Sequence, residues 1–389
     1  MGTEAMGTGA MGTEARQAEA RQAVERVAVI GAGAWGTALA DLLARKGETS
    51  IHSADAPLAT PAGPGPTGAA ESSPTSRGAG RGAGIACWVR SADVFAAISN
   101  RRENAVYLPG HRLSKALRPT RSLEEAAQGA DVLVMAVPSH AMREVATRLR
   151  PHLKPGVLAV SAAKGIEEGS LQTMTQVLGE CLPGTVCAAL SGPSFAREVA
   201  AGLPTAVTLA CRDQESARAL QRLFATPVFR VYASQDTVGV ELGGAIKNVI
   251  AIAAGISDGL GFGHNTRAAL ITRGLAEMAR LGSRLSATAA TFAGLAGLGD
   301  LVLTCTGDLS RNRGLGLALG RGGSLATLRE GTRQVAEGVR TAASLRGLAL
   351  REGVEMPICE QVWRVLYEGK EPRSAVAELM TRDLKDEGI

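Results

Sequence analysis

Residues 27–46 read VAVIGAGAWGTALADLLARK. Val27 to Ile30 is a short apolar run of strand character. Gly31-Ala32-Gly33-Ala34-Trp35-Gly36 follows at once, and Thr37 to Lys46 is helix-like. Strand, GxGxxG and helix in that order form a dinucleotide-binding fingerprint. Its glycines permit a tight turn, close backbone approach to a pyrophosphate, and close packing of the helix. The anionic pyrophosphate would meet the helix N-terminus. A lone GxGxxG is a weak signal, because Gly-rich turns are common and one of them can be purely structural. The flanking strand and helix are what give this one weight.

On the N-terminal side, residues 1–23 are of low complexity. Met-Gly-Thr recurs at Met1, Met6 and Met11, and Glu-Ala-Arg-Gln-Ala begins at Glu14 and again at Glu19. The first part is expected to be disordered. The second is at most a marginal helix, since it has no apolar face to dock. The working chain is expected to start near Val24. On the other side, 29 of the 36 residues from Thr49 to Gly84 are Gly, Pro, Ala, Ser or Thr. Such a stretch cannot bury enough apolar surface to order itself. It reads as a disordered insertion, 49–84, between the fingerprint helix and the second strand, a place where added length costs little closure entropy.

The insertion bears on the choice of cofactor. A ribose-binding acid usually lies about 20 residues past the glycines, and plain counting lands on Asp55 within the insertion. Ile85-Ala86-Cys87-Trp88-Val89 is the better second strand, and it ends in Arg90. An arginine there suits a 2′-phosphate. NADP(H) is therefore favoured, with NAD(H) left open and an ordinary surface arginine as the alternative.

Further along, Ala92 to Ser99 is helix-like and a turn-rich stretch runs through Leu108-Pro109-Gly110. Ser122 to Gln128 reads as a short helix, with Ser122 and Glu125 in capping-box spacing. Asp131 to Val137, Val157 to Ala162 and Val186 to Leu190 are buried strands. Between them lie helices from Pro138 to Arg150 and from Leu171 to Glu180. Thr205 to Cys211, Ser216 to Phe224 and Phe229 to Ala233 complete a strand–helix–strand unit. This alternation predicts an α/β fold, a Rossmann-type doubly wound parallel sheet. From about Gln235 no further strand is evident and helical periodicity runs to the end. The expected organisation is a nucleotide-binding domain over 24–234 and an all-helical C-terminal domain over 235–389.

Composition narrows the function classes. Forty-two Lys and Arg against 37 Asp and Glu give a net charge of +5, with no basic cluster and only 3% aromatic residues. Base stacking has little material to work with, so nucleic-acid binding is disfavoured, while a phosphorylated, anionic small molecule suits the surplus. Cys87, Cys181, Cys187, Cys211, Cys305 and Cys359 show no CxxC or metal spacing. Reduced thiols in the cytoplasm are the simplest reading, and no metal is expected. No membrane-spanning length of apolar residues lacks a charge, and the N-terminus has no apolar signal core.

The chemistry is expected in the helical half. Gly239 to Met278 contains a nearly all-apolar helix, yet Lys247 and Asn248 sit within it. A helix apolar all round is buried, and desolvation lowers an ammonium pKa toward neutrality. Lys247 is therefore either a structural ion-pair lysine or an acid–base group. Asp300 ends the glycine-rich apolar run Phe292 to Gly299 and would satisfy Lys247 as its partner. Ser310-Arg311-Asn312-Arg313 follows. There Arg311 and Asn312 offer a guanidinium and an amide that suit a phosphate, or simply form an exposed helix start. His140 and His264 occupy turn-like positions, where each could shuttle a proton or only bond to backbone.

Seven blocks, GAGAWGTALA, SAAKGIE, SGPSFARE, GGAIKNVIAIAAGISDG, AGLGDLVLTCTG, SRNR and EMPI, together resemble the NAD(P)-dependent glycerol-3-phosphate dehydrogenase family. The resemblance runs from about Val24 to Glu387, interrupted only by the insertion. It implies an oxidoreductase that reversibly reduces dihydroxyacetone phosphate to sn-glycerol 3-phosphate, supplying phospholipid synthesis in the cytoplasm, and it leaves a homodimer open. It implies that Lys247 is the proton donor and acceptor. Lys164, Gly192, Ser194, Asp300, Ser310, Arg311 and Asn312 would line the substrate together with Lys247. Gly31, Gly33, Ala34, Trp35, Gly36, Arg90, Lys164, Ala196, Arg311, Val335 and Glu337 would contact the cofactor. Two departures matter. Ala34 stands where many members carry serine, and the insertion just before Arg90 could disturb the cofactor's adenosine end.

Overall fold

The computed structural model of the chain describes residue 24 and residues 26–49, 84–325 and 336–383. Expectations for residues 1–23 and 50–83 lie outside these. At the edges of the insertion, Thr49 closes a helix and Gly84 opens a strand.

In the N-terminal half strands and helices alternate. β1 (Arg26–Ile30) leads into α1 (Ala34–Thr49), then β2 (Gly84–Trp88) and α2 (Ala92–Arg101). Three short strands follow, β3 (Glu103–Asn104), β4 (Leu108–Arg112) and β5 (Leu117–Thr120), then α3 (Leu123–Ala127). The chain continues through β6 (Val132–Met135), α4 (Met142–Leu149), β7 (Leu158–Ser161), α5 (Met174–Cys181) and β8 (Val186–Ser191). It closes with α6 (Ala196–Ala200), β9 (Thr205–Cys211), α7 (Gln214–Phe224) and β10 (Phe229–Ser234). The eight-stranded sheet has the order β10-β9-β8-β7-β6-β1-β2-β5.

Both faces of this sheet are covered, and β1 shows how. Val27 and Val29 lie in one apolar cluster, whereas Ala28 and Ile30 lie in another on the opposite face. Alternate side chains of a strand point to opposite faces, so a strand buried on both sides reads as a continuous apolar run. That is why VAVI looks as it does.

Three sequence expectations change. The sheet is parallel from β5 through β8, but β9 runs antiparallel to β8, and β10 follows β9. The connection between β8 and β9, from Ser191 to Thr205, carries only the five-residue α6. Next, the turn-rich stretch around Leu108 contains the β3–β4 pair and then the edge strand β5. Lastly, α5 starts at Met174 rather than Leu171, because Thr173 and Gln176 form the capping box that begins it. The predicted cap at Ser122 is present. Its hydroxyl accepts from the Glu125 amide, while the Glu125 carboxylate turns to Thr120 instead.

After β10 every described element is helical: α8 (Thr237–Gly259), α9 (His264–Arg284) and α10 (Ala289–Ala293), a π-helical turn (Leu295–Gly299), then α11 (Asp300–Thr306), α12 (Arg311–Gly320), α13 (Glu337–Glu352), α14 (Pro357–Tyr367) and α15 (Pro372–Met380). α8 is long and apolar enough to cross a membrane, yet its apolar window is wholly buried inside the protein. It is the central core helix, enclosed by the others.

Glycines set how closely α8 and α12 approach. A Cβ on Gly255 would lie 2.1 Å from the Arg313 carbonyl oxygen, and one on Gly316 would lie 2.1 Å from the Ile252 carbonyl oxygen. The backbones touch, so no side chain fits between them. Gly255→Leu should lower stability by about 3 kcal/mol through overpacking, seen as a lower midpoint in urea unfolding. An unchanged midpoint would contradict this crossing.

Candidate active site

The fingerprint turn shows three different glycine environments. Gly31 has φ +117°, and a Cβ there would lie 2.7 Å from the Ala136 carbonyl oxygen. A Cβ on Gly36 would strike the Gly31 carbonyl oxygen at 1.9 Å. Gly33 faces open space, with nothing within 4 Å of where its Cβ would be. Gly31 thus makes the turn, Gly36 lets α1 close on it, and Gly33 leaves the backbone free to meet a ligand. Ala34 and Trp35 begin α1, so their amides lie at its N-terminal, electropositive end. These residues fit a dinucleotide pyrophosphate.

The other sheet-derived candidates gather past the C-terminal ends of strands, where ligands bind in such sheets. Arg90 is exposed just beyond β2. Its charge and that of Arg340 act with burial to hold the His140 pKa below the usual imidazole value. Lys164 follows β7, and Gly192 and Ser194 follow β8. Gly192 adopts φ +140°. Its carbonyl oxygen accepts from Lys164 Nζ at 3.1 Å and from the Ser194 hydroxyl at 2.9 Å. Ala196 is the first residue of α6.

From the helical side come Lys247 on α8 and Asp300, which opens α11 and is 1% exposed. Asp300 divides its two carboxylate oxygens between two lysines. Oδ1 accepts from Lys247 Nζ at 2.5 Å, and Oδ2 accepts from Lys164 Nζ at 2.6 Å. Lys247 also donates to the Thr304 hydroxyl at 2.8 Å, which in turn donates to the Asp300 carbonyl oxygen at 2.6 Å. The Lys247–Asp300 pair expected from sequence is therefore present, and Lys164 joins it. Two cations, Lys247 buried and Lys164 part-buried, share one anion.

A chain of amides braces this centre. Asn312 Nδ2 donates to Asn248 Oδ1 at 2.9 Å, and Asn312 Oδ1 accepts from the Gly338 amide at 3.0 Å. α12, α8 and α13 are thereby tied together. Ser310 is buried and caps α12 through the Arg313 amide. Arg311 opens α12 and is exposed. Glu337 opens α13. Burial raises its carboxyl pKa, against the pull of the Arg311, Lys164 and Lys247 charges. Val335 lies outside the described residues. His264 begins α9 at an exposed position. Among the described residues no group of three or more His, Cys, Asp or Glu side chains could hold a metal ion.

Thr304 and the Asn248–Asn312 bond were missed from sequence. Thr304 carried a usable signal, since it stands four residues after Asp300 in the same helix and so shares its face. The amide pair carried none, being brought together by the α8–α12 crossing.

A dinucleotide turn after β1, together with a buried lysine of the helical half whose carboxylate partner also holds Lys164 past β7, points to a class, the two-domain dinucleotide-dependent oxidoreductases. Family models narrow the class. The N-terminal model of NAD-dependent glycerol-3-phosphate dehydrogenase matches residues 26–217, and the C-terminal model matches residues 236–377. The chain belongs to this NAD(P)-dependent family. It is 54% identical over 364 residues to glycerol-3-phosphate dehydrogenase [NAD(P)+] of Geobacter metallireducens, covering 93% of this chain and 98% of the relative. The Nitratidesulfovibrio vulgaris enzyme of the same name is 49% identical over 363 residues, 93% of this chain and 99% of that one. Among solved structures, glycerol-3-phosphate dehydrogenase of Coxiella burnetii superposes with a TM-score of 0.81 at 38% identity, covering 92% of this chain and 99% of that one.

The state of Lys247 has a consequence for stability. Burial brings its pKa down from 10.5 to about 8, with Asp300 opposing the shift and Lys164 adding to it. Between pH 8 and 10.5 the unfolded chain keeps a proton that the folded chain has lost. Stability linked to this residue is therefore least below pH 8 and grows as pH rises through that window, by at most about 1.4 kcal/mol per unit. The urea midpoint of the wild type should rise relative to that of Lys247→Met between pH 8 and 10. A constant difference would contradict the assignment.

Proposed function

We propose that the chain catalyses the reversible reduction of dihydroxyacetone phosphate to sn-glycerol 3-phosphate with Lys247 as its proton donor and acceptor. The observation that carries this reading is the Lys247–Asp300–Lys164 centre, whose Lys164 follows β7 at the same edge of the sheet as the dinucleotide turn after β1. A nicotinamide dinucleotide, when bound, supplies the hydride. Lys247 protonates the alkoxide that emerges at the former ketone oxygen, and in the reverse direction its neutral amine takes that proton back. A pKa of about 8 suits both directions, because neither protonation state is scarce near neutral pH. Asp300 fixes the ammonium's position, and Lys164 adds positive charge where the oxygen becomes negative.

The phosphate falls to Arg311 and to Asn312. The Arg311 guanidinium is exposed at the start of α12. Asn312 has one Nδ2 hydrogen bonded to Asn248, which leaves the second for an oxygen acceptor. Gly192 and Ser194, hydrogen-bonded to each other, with Gly192 also bonded to Lys164, would complete the substrate shell. A two-domain reductase acting on a hydroxy acid would share the lysine and would turn such a guanidinium to a carboxylate; the likeness to glycerol-3-phosphate dehydrogenases favours the phosphate. Arg90, past the β2 end, supports NADP(H) as the favoured form. The cysteines form no disulfide, which supports work in a reducing cytoplasm, where the product would feed phospholipid synthesis.

Replacing Lys247 by methionine should lower kcat for dihydroxyacetone phosphate reduction by about 10²–10⁴-fold in a protein that remains folded. In the wild type, ketone reduction should fall and alcohol oxidation should rise as pH passes through about 8. A full kcat in the variant would end the assignment. Arg90→Asp should move the NADPH-to-NADH ratio of kcat/KM toward NADH, and an unchanged ratio would remove Arg90 from cofactor choice.

A further inference from the structure

Lys164 is the member of the charged trio that comes from the sheet, while Lys247 and Asp300 come from helices of the other half. Something must hold the Lys164 backbone against that half. The residues right after it do so in an unusual way. Ile166 leaves the sheet and is buried, 3% exposed, within the apolar cluster that α8, α13 and α14 build. Leu171 packs against the same cluster. It does so in the left-handed region, at φ +59°, a conformation that strains a leucine. It seats on a bare glycine of α13, for a Cβ on Gly347 would come within 3.1 Å of Leu171 Cδ2. Two polar contacts run alongside. Arg340 Nη1 reaches Glu168 Oε1 at 3.2 Å, and Arg351 Nη1 donates to the Ser170 carbonyl oxygen at 3.5 Å.

The turn is closed on itself and pinned from behind. The Glu167 amide donates to the Gln172 carbonyl oxygen at 2.9 Å, the Leu171 amide to the Glu167 carbonyl oxygen at 3.1 Å, and Ile166 bridges Thr173. Arg143 of α4 then forks onto Glu167, with Nε to Oε1 at 3.0 Å and Nη2 to Oε2 at 2.8 Å. It also reaches Gln172 at 3.0 Å and Glu180 at 2.9 Å. Forked guanidinium–carboxylate pairs are the geometrically specific kind. Segment 166–173 is thus clamped between α4 of the sheet half and α13 of the helical half, and Lys164 is two residues from its start.

We propose that this clamped turn positions Lys164 across the boundary between the two halves, with Arg143 and Leu171 as positioning residues that act through it. The inference rests on the proposed role of the Lys247–Asp300–Lys164 centre. Loosening the turn frees Asp300 Oδ2 and withdraws a positive neighbour from Lys247. The charged groups facing Lys247 are Asp300, Lys164 and Glu337. The adjacent Cys305 thiol is pushed up to about 12 by burial and stays neutral. Removing Lys164 from that set, and leaving Asp300 to Lys247 alone, both raise the Lys247 pKa.

The test uses the full-length chain with Leu171→Gly and, separately, Arg143→Met. Glycine accepts the left-handed backbone, so the first variant removes the anchoring side chain without adding strain. Lys247 is titrated by NMR through its labelled Cε, and kcat is measured with dihydroxyacetone phosphate. In both variants the titration midpoint should move up by about one unit, and kcat should fall about ten- to a hundred-fold. Arg143→Lys should recover part of each. Midpoints that stay at the wild-type value, with kcat falling only as the folded fraction falls, would overturn the proposal. Failure of the wild type to turn over dihydroxyacetone phosphate would instead overturn the functional reading, and the NMR midpoint would still decide the role of the turn.

Discussion

The molecule is built around one carboxylate. Asp300 is buried, and an isolated ionised carboxylate in that position would cost several kcal/mol. It is tolerated because each oxygen has an ammonium, one carried by α8 and one by the loop after β7. Lys247 could not be buried alone for the same reason. It pairs with Asp300 inside the helical half, and the second carboxylate oxygen takes its ammonium from the sheet half, so the trio is complete only where the two halves meet. The excess positive charge has no protein partner within the trio. Buried Glu337 lies within reach of both lysines, and an alkoxide or a phosphate arriving from outside would add further negative charge.

That requirement explains the character of α8. It must carry Lys247 to Asp300 while lying in the middle of a helical core, so most of its surface is apolar or small. A buried carboxylate on α8 itself makes a further tie. Glu241 is buried and accepts from the Thr175 amide at 2.8 Å and from its hydroxyl. It thus sits at the start of α5, where the helix presents free amides. Burial raises its pKa, and these bonds from the helix start oppose the rise. The glycine-lined crossing with α12 does comparable work on the other side. It brings Asn312 within bonding distance of Asn248, one residue from Lys247.

The sequence exposed some of this better than the rest. Strand VAVI and the glycines of 31–36 were legible because burial on both faces and a tight turn restrict residue type locally. Lys247 and Asp300 were legible for the opposite reason, as charges in apolar surroundings that had to find each other. The antiparallel β9 was not, because strand direction depends on where the chain re-enters the sheet, and residue type alone does not report that. Edge strand β5, LRPT, contains a proline and an arginine, which suit an edge and resemble a loop. The third member of the ion cluster, Lys164, lies 136 residues from Asp300. Within the sequence itself, only family likeness brought it into the site, and nothing in its local pattern announced a carboxylate partner.

The insertion between α1 and β2 can be weighed in the same terms. It stands close to Arg90 in sequence, which suggested interference with the adenosine end of the cofactor. The strand register fixes where its two ends attach. Gly84 pairs with Arg26, at the beginning of β1, whereas the fingerprint turn and Arg90 lie past the opposite ends of β1 and β2. Six residues of extended chain separate Gly84 from Arg90, about 20 Å. α1 runs back from the fingerprint toward the starts of the strands, so both attachment points of the insertion, Thr49 and Gly84, lie at the sheet edge away from the cofactor. The pairing of all five β1 residues with β2 shows that the strand carrying Arg90 keeps its register directly after the added sequence. A parallel α/β unit confines its ligand chemistry to one edge of the sheet, which leaves the other free to accept extra chain at little cost.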